Sequence, residues 1–222
     1  NDINDLIETG FVQANTRHTI SLHPMIQEIA FSETRPSVKS CHTLLDSLQK
    51  ICLMHGTEVS YYKKMFQTME NIIHLIEKDD IPKYLLFLED TFPYMEKYHY
   101  QKGMKEIIRE LKHLLKGTNH GTASDRALLL DYQATMETKS EKAIKLEKEA
   151  LAQIKEITKS NAHLVSNLHA NLGGLYRMNG QTELAKEHME KGILLLEQYK
   201  LLYTNDSIPQ INNYAALLTE MQ

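Results

Sequence analysis

Toward the end of this chain, small and apolar residues return at a fixed distance. Ala143 precedes Ala185 by 42 positions, Ala150 precedes Gly192 by 42, and Leu130 precedes Leu172 by 42. Asn171 and Leu175 are followed at the same distance by Asn213 and Leu217, so that "ANLGGLY" at 170–176 becomes "NNYAALL" at 212–218. An amphipathic unit of this length cannot bury its apolar face alone. Repeating it forces neighbouring units to stack.

The unit is helical. Apolar spacing marks helices over 2–9, 24–33, 37–55, 57–78, 82–98, 101–116, 124–137, 140–159, 161–179, 181–200 and 207–221. The helices are punctuated by Gly56, by Pro82 in a first turn, by "KGTNHGTASD" with Ser124 or Asp125 as cap, and by "NGQ" at 179–181. Nine Gly and five Pro among 222 residues are too few for the turns of an all-β fold. Only "GFVQ" and "TISLH", separated by "ANTR", read as strands. The expected class is all-α with a short β-hairpin near the N-terminus.

Charge and composition exclude several functions. A net charge of −4 with interspersed signs gives no basic stripe for nucleic acid. No apolar run approaches the ~20 residues that span a bilayer, and no signal-peptide pattern opens the chain. Cys41 and Cys52 fall in one expected helix, about 16 Å apart along its axis, too far for a disulfide. They read as reduced core residues of a cytoplasmic protein. The chain begins with Asn, as a piece of a longer protein would.

Residues 169–189 resemble the tetratricopeptide signature W-x2-L-G-x2-Y followed by A-x3-F. Leu172, Gly173, Tyr176 and Ala185 match, His169 stands for Trp, Met189 stands for Phe, and the closing Pro is missing. The resemblance implies a right-handed α-solenoid of antiparallel helix pairs, clearest over 124–221. It resembles the long-loop variety, with "YKLLYTNDSIP" carrying the extra residues. Residues 37–116 read as degenerate pairs of the same array, with Pro93 interrupting the helix that contains it, and 36–222 as one array.

The segment "LIETGFVQANTRHTISLHPMIQEIAFSETRP" does not fit the repeat. "ISLHPMIQEIA" resembles the last strand and helix of the winged-helix domain in NB-ARC-type STAND ATPases, and "RPSVKSCHTLLDSLQKIC" the linker and first sensor helices of bacterial members. Residues 1–35 are therefore expected to be the end of a winged helix. The resemblance implies a parent that binds ATP and ADP through a nucleotide-binding domain and oligomerises in response to a ligand. A histidine at the place of His23 contacts the ADP phosphates in that family; the alternative is a His that caps the strand–helix corner beside Pro24. A stand-alone peptide-pheromone receptor of the tetratricopeptide type is the second functional reading.

No reaction chemistry is legible. The chain has no Gly-Lys pair, hence no phosphate-cradling G-x4-G-K-[ST], and no H-E-x-x-H, C-x-x-C or G-x-S-x-G. Its eleven histidines lack paired ligand spacing, so no metal or cofactor is expected in this chain. "SEKAIKLEKEALAQIKE" reads as a solvated helix face, and Asn205-Asp206-Ser207 as an incidental sequon.

Binding is the remaining expectation. In stacked pairs the first helices line the concave face. Asn167 and Asn171 lie one turn apart on such a helix, Asn212 and Asn213 fall on the next, Arg177 lies further along, and Tyr132 and Met136 border from the helix before. Asn weakens helix interiors, and its amide both donates to and accepts from a peptide backbone. The asparagines either hold a protein or peptide ligand there, or cap helices and bond between them. The aromatic stretch Tyr84, Phe87, Phe92, Tyr94 and Tyr98 reads as core.

Overall fold

The computed structural model describes residues 2–16, 19–53, 59–116, 121–204 and 207–222. Expectations for Gly56, for the centre of "KGTNHGTASD" and for Asn205-Asp206 lie outside the described residues. Among those described, three quarters are helical, in eleven helices with one two-stranded sheet. The chain is all-α in class. It packs as two compact units, Asn1–Phe87 and Leu88–Gln222, dividing within one helix.

The first unit begins with α1 (Asp2–Glu8), β1 (Val12–Thr16), β2 (Thr19–Leu22) and α2 (Pro24–Thr34). The strands pair antiparallel, Val12 opposite Leu22 and Gln13 opposite Ser21. Pro24 opens α2 because the first helical position needs no amide donor, and the His23 Nδ1 accepts from the Met25 amide at 3.3 Å. This end has almost no core of its own. From residue 4 to residue 35, among side chains described, Val12 alone is buried. On α2, Met25 and Ile29 share one face and Phe31 points elsewhere, yet all three are exposed.

The core of this unit lies further on, in α3 (His42–Leu53), α4 (Val59–Leu75) and the start of α5 (Ile81–Lys97). Val38, Leu45, Met69, Tyr84 and Phe87 are fully enclosed. A short parallel bridge fixes the entry, with the Val38 amide on the Glu77 carbonyl and the Glu77 amide on the Pro36 carbonyl, each 2.9 Å. The expected helix over 37–55 starts at His42, because Ser37, Val38 and Lys39 spend their amides on this bridge and on Ser40 and Asp79. Cys41 therefore precedes the helix that holds Cys52, and both are half-buried thiols outside any disulfide, not core residues.

The second unit continues through the end of α5, α6 (Gln101–Leu115), α7 (Ala123–Thr135), α8 (Ser140–Gln153), α9 (Ala162–Met178), α10 (Thr182–Gln198) and α11 (Ile208–Glu220). Pro93 does not interrupt α5. It cannot donate to the Glu89 carbonyl four residues back, and the Tyr132 hydroxyl donates there instead at 3.0 Å. The N-cap of α7 is Thr122, not Ser124 or Asp125. Asp125 completes a capping box, receiving the Thr122 amide on its carboxylate while its own amide donates to Thr122 Oγ1. Helix α8 stops at Gln153, short of the expected 159, because the Asn161 side chain ties the following turn to Thr158 and Glu156.

Helices α9 and α10 form an antiparallel pair around the left-handed Gly180, φ 72°. Their contacts run in opposite directions along the two helices: Ser166 Oγ donates to the Gly192 carbonyl, His169 meets His188, and Gly173 meets Met189. The small residues permit this approach. A Cβ on Gly173 would lie 2.5 Å from Met189 Cγ and 3.0 Å from the Ala185 carbonyl oxygen. Leu172, Tyr176, Ala185, Met189 and Leu217 form one core cluster, and Ala127, Ala150 and Leu168 another. Helices α7 and α9, and α9 and α11, also touch directly, beside the contacts between successive helices.

Candidate functional site

The open side of α9 faces α11 across a groove of about 500 Å³, lined by Gly174, Arg177, Met178, Met189, Asn213 and Glu220. Two of the residues singled out from sequence, Arg177 and Asn213, meet here. The Arg177 guanidinium is paired with the Glu220 carboxylate, so this wall carries no uncompensated charge. Asn213 is exposed, as is its neighbour Asn212, and neither side chain has a hydrogen-bond partner among the described residues. Gly174 floors the groove, with nothing within 4 Å of the place its Cβ would take. Met178 is 79 % exposed at the rim.

The other asparagines are exposed but occupied. The Asn171 amide donates to Asp131 Oδ1 at 2.8 Å, from α9 to α7. Asn167 accepts from the Gln210 amide, from α9 to α11. Both bond between helices, the second of the two roles that the sequence leaves open for them. Tyr132 is not at a groove border. It is buried, stacked on Phe92 at 3.7 Å between centroids and 6° between planes, because its hydroxyl is drawn to the carbonyl that Pro93 leaves unpaired. His23 sits at the strand–helix corner as the cap of α2.

Sequence reasoning missed two polar clusters beside this surface. Under Asn171, the carboxyls of Asp131 and Glu147 share a hydrogen bond in a buried site. Glu147 lies within the run expected to be a solvated face, but it falls on the side of α8 that meets α7. Burial pushes both carboxyls up, and the neighbouring Asp131 charge raises Glu147 further, so the pair holds a proton at neutral pH. The second cluster is the pair His169 and His188, with Nδ1 to Nδ1 at 3.0 Å. Burial lowers both imidazoles, His169 to about 4, with the Lys191 ammonium adding to the effect. At neutral pH one ring donates and the other accepts. Neither cluster has a signal in sequence, since each joins residues 16 to 40 positions apart on different helices.

A second, larger hollow of about 730 Å³ lies among Lys139, Glu141, Ile144, Lys148, Tyr176 and Asn179. Its Lys148 ammonium is placed over the Tyr176 ring at 5.6 Å. Among the described residues no three of His, Cys, Asp and Glu could hold a metal ion, and no helix is long and apolar enough to cross a membrane. Comparison with protein-family models, with curated proteins and with solved structures gave no match.

Proposed function

We propose that this chain is a non-enzymatic interaction module, a tetratricopeptide-type helical array that senses a protein or peptide ligand within a larger STAND-type regulatory ATPase. The observation that carries the reading is the spacing of side-chain bonds between helices. Tyr132 reaches Glu89 across 43 positions, Asn171 reaches Asp131 across 40, Tyr199 reaches Ile157 across 42, and Arg177 reaches Glu220 across 43. The recurrence in the sequence is thus matched by recurring bonds between units, as stacking demands. The α9–α11 groove supplies a place for the ligand.

The N-terminal segment supports the second half of the reading. A helix with apolar residues on several sides belongs in an interior, and eleven isolated residues do not hold a helix in water. Helix α2 has that composition and length and buries none of its side chains. It is the part of a winged helix that would close against a nucleotide-binding domain. In that setting the array sits in the cytoplasm, the parent binds ATP or ADP, and ligand on the array alters how the winged helix holds the nucleotide. His23 would act there in the parent only.

The coding sequence upstream of Asn1 tests this directly. A strand followed by G-x4-G-K-[ST] is expected; a short DNA-binding head would favour the pheromone-receptor reading and refute the ATPase parent. The chain alone, lacking the phosphate loop, is expected to give no saturable heat with ATP or ADP. Micromolar binding would overturn the division of labour proposed here.

A further inference from the structure

One stripe of α9 meets its partner helix α10. Ser166 Oγ donates to the Gly192 carbonyl, the His169 ring meets that of His188, and Gly173 lies against Met189. The Tyr176 ring centroid lies 5.4 Å from that of His188. These four residues follow the i, i+3, i+7, i+10 spacing of a single helix face. One 42-residue period on stand Ile208, Ile211, Ala215 and Leu218 of α11. The stripe is repeated, but here it is open: Ile208 is 50 % exposed, Ile211 36 %, Ala215 is exposed and Leu218 half-buried.

Composition marks α11 as a helix made to be covered. Helix α9, which packs against α7, α8, α10 and α11, has Arg177 as its single Lys, Arg, Asp or Glu. Helix α11 likewise has only Glu220, although its packing is on α9 and α10. A helix so poor in charge belongs in an interior. Its inner side is already used, with Tyr214 and Leu217 turned into the core cluster of α9 and α10. The open stripe lies roughly a third of a turn away from them.

We infer that a second copy of this chain covers the stripe, the two α11 helices packing antiparallel about a twofold axis level with Asn213. In that register Ile211 falls opposite Ala215 of the second copy and Ile208 opposite Leu218, and each contact occurs twice. A large side chain then meets a small one, as Met189 meets Gly173 between α9 and α10. A twofold axis sets a surface against itself, so any charge beside it would repel its own image. None of the four residues is charged, and Glu220 is held by Arg177. This self-match selects a second copy over an unlike partner. The inference does not depend on the ligand reading, because Asn213 and Glu220, which line the α9–α11 groove, lie on the opposite side of α11 from the stripe.

Sedimentation equilibrium of the full chain, from about 1 μM to about 1 mM, tests this. A single helix pair is a small interface, and a dimer with a Kd of about 10–100 μM is expected. The parent is compared with Ile211→Glu, with Ala215→Arg, with the double variant of the two, and with Ile29→Glu on the open face of α2. All three positions are exposed, so each variant is expected to keep the circular dichroism of the parent. Each single change in α11 is expected to weaken the dimer at least tenfold, because it sets an unpaired charge in an apolar contact. The double variant, which places every Glu opposite an Arg of the other copy, is expected to recover most of that loss, and Ile29→Glu to leave the Kd unchanged. A parent that stays monomeric over the whole range would overturn the inference. So would a dimer that persists in both single variants, one that is lost in Ile29→Glu, or a double variant no stronger than the single ones. If Ile211→Glu loses helix, Ala215→Arg decides alone.

Discussion

Gly173 and Gly174 are adjacent in one helix and differ in what surrounds them, so replacing each with Ala separates backbone propensity from packing. Both changes gain the same intrinsic preference, about 0.8–1.0 kcal/mol for Ala over Gly in a helix interior. At Gly174 nothing lies within 4 Å of the new methyl group, and the whole gain is expected to appear as stability. At Gly173 the methyl group would lie 2.5 Å from Met189 Cγ, 3.2 Å from Met189 Cε and 3.0 Å from the Ala185 carbonyl oxygen. Met189 is itself only 3 % exposed, and Cγ is not a free end that swings aside, so α9 and α10 must part or Met189 must leave its rotamer. Overpacking of this kind costs about 1–3 kcal/mol. Gly174→Ala should therefore exceed the parent by about 1 kcal/mol, while Gly173→Ala falls between parity and a loss of about 2 kcal/mol. Urea denaturation of the three proteins, with the slope unchanged between them, gives the difference directly. If both variants gain alike, α9 and α10 do not cross at Gly173 and the tetratricopeptide alignment of residues 169–189 is wrong.

The asparagines divide in the same manner. Asn171→Ala strips the donor from Asp131 in a buried site and is expected to lose about 1–3 kcal/mol, whereas Asn213→Ala should be neutral or gain up to about 0.5 kcal/mol; equal losses in denaturation curves would place Asn213 in a bond between helices as well. Acid should weaken the His169–His188 contact: their folded pKa values lie below the ordinary 6.5, so unfolding takes up protons and stability falls as pH drops from about 6.5 to about 4. Melting temperatures of a His169→Leu/His188→Leu double variant should show a flatter acid limb than the parent, and an unchanged limb would refute the assignment. Glu147 behaves in the opposite sense. Its folded pKa is raised, so its contribution is complete below about pH 4.3 and is lost as pH rises; Glu147→Gln, which keeps a donor toward Asp131, should be more stable than the parent at pH 8 by an amount that shrinks toward pH 4.

The amino-acid sequence by itself settles the helical class and nearly all helix boundaries, because apolar spacing and local punctuation act within a few residues of where they are read. The 42-residue period was legible for the same reason: Ala143, Ala150, Ala185 and Gly192 are small where helices must approach, and each is buried at such an approach. The strands around "GFVQ" and "TISLH" were legible as well. What those local rules do not contain is which face of a helix meets a neighbour from another unit. That decision turned Asn167 and Asn171 from open amides into bonds between helices, drew Tyr132 inward to serve the carbonyl that Pro93 leaves bare, and buried Glu147 within a run of charges. It also left Asn213 without the carboxylate that its equivalent Asn171 possesses. Hydrogen-bond partners 40 to 43 positions apart exist only once the helices stack, and for that reason the groove and its lone amide belong to the tertiary structure alone.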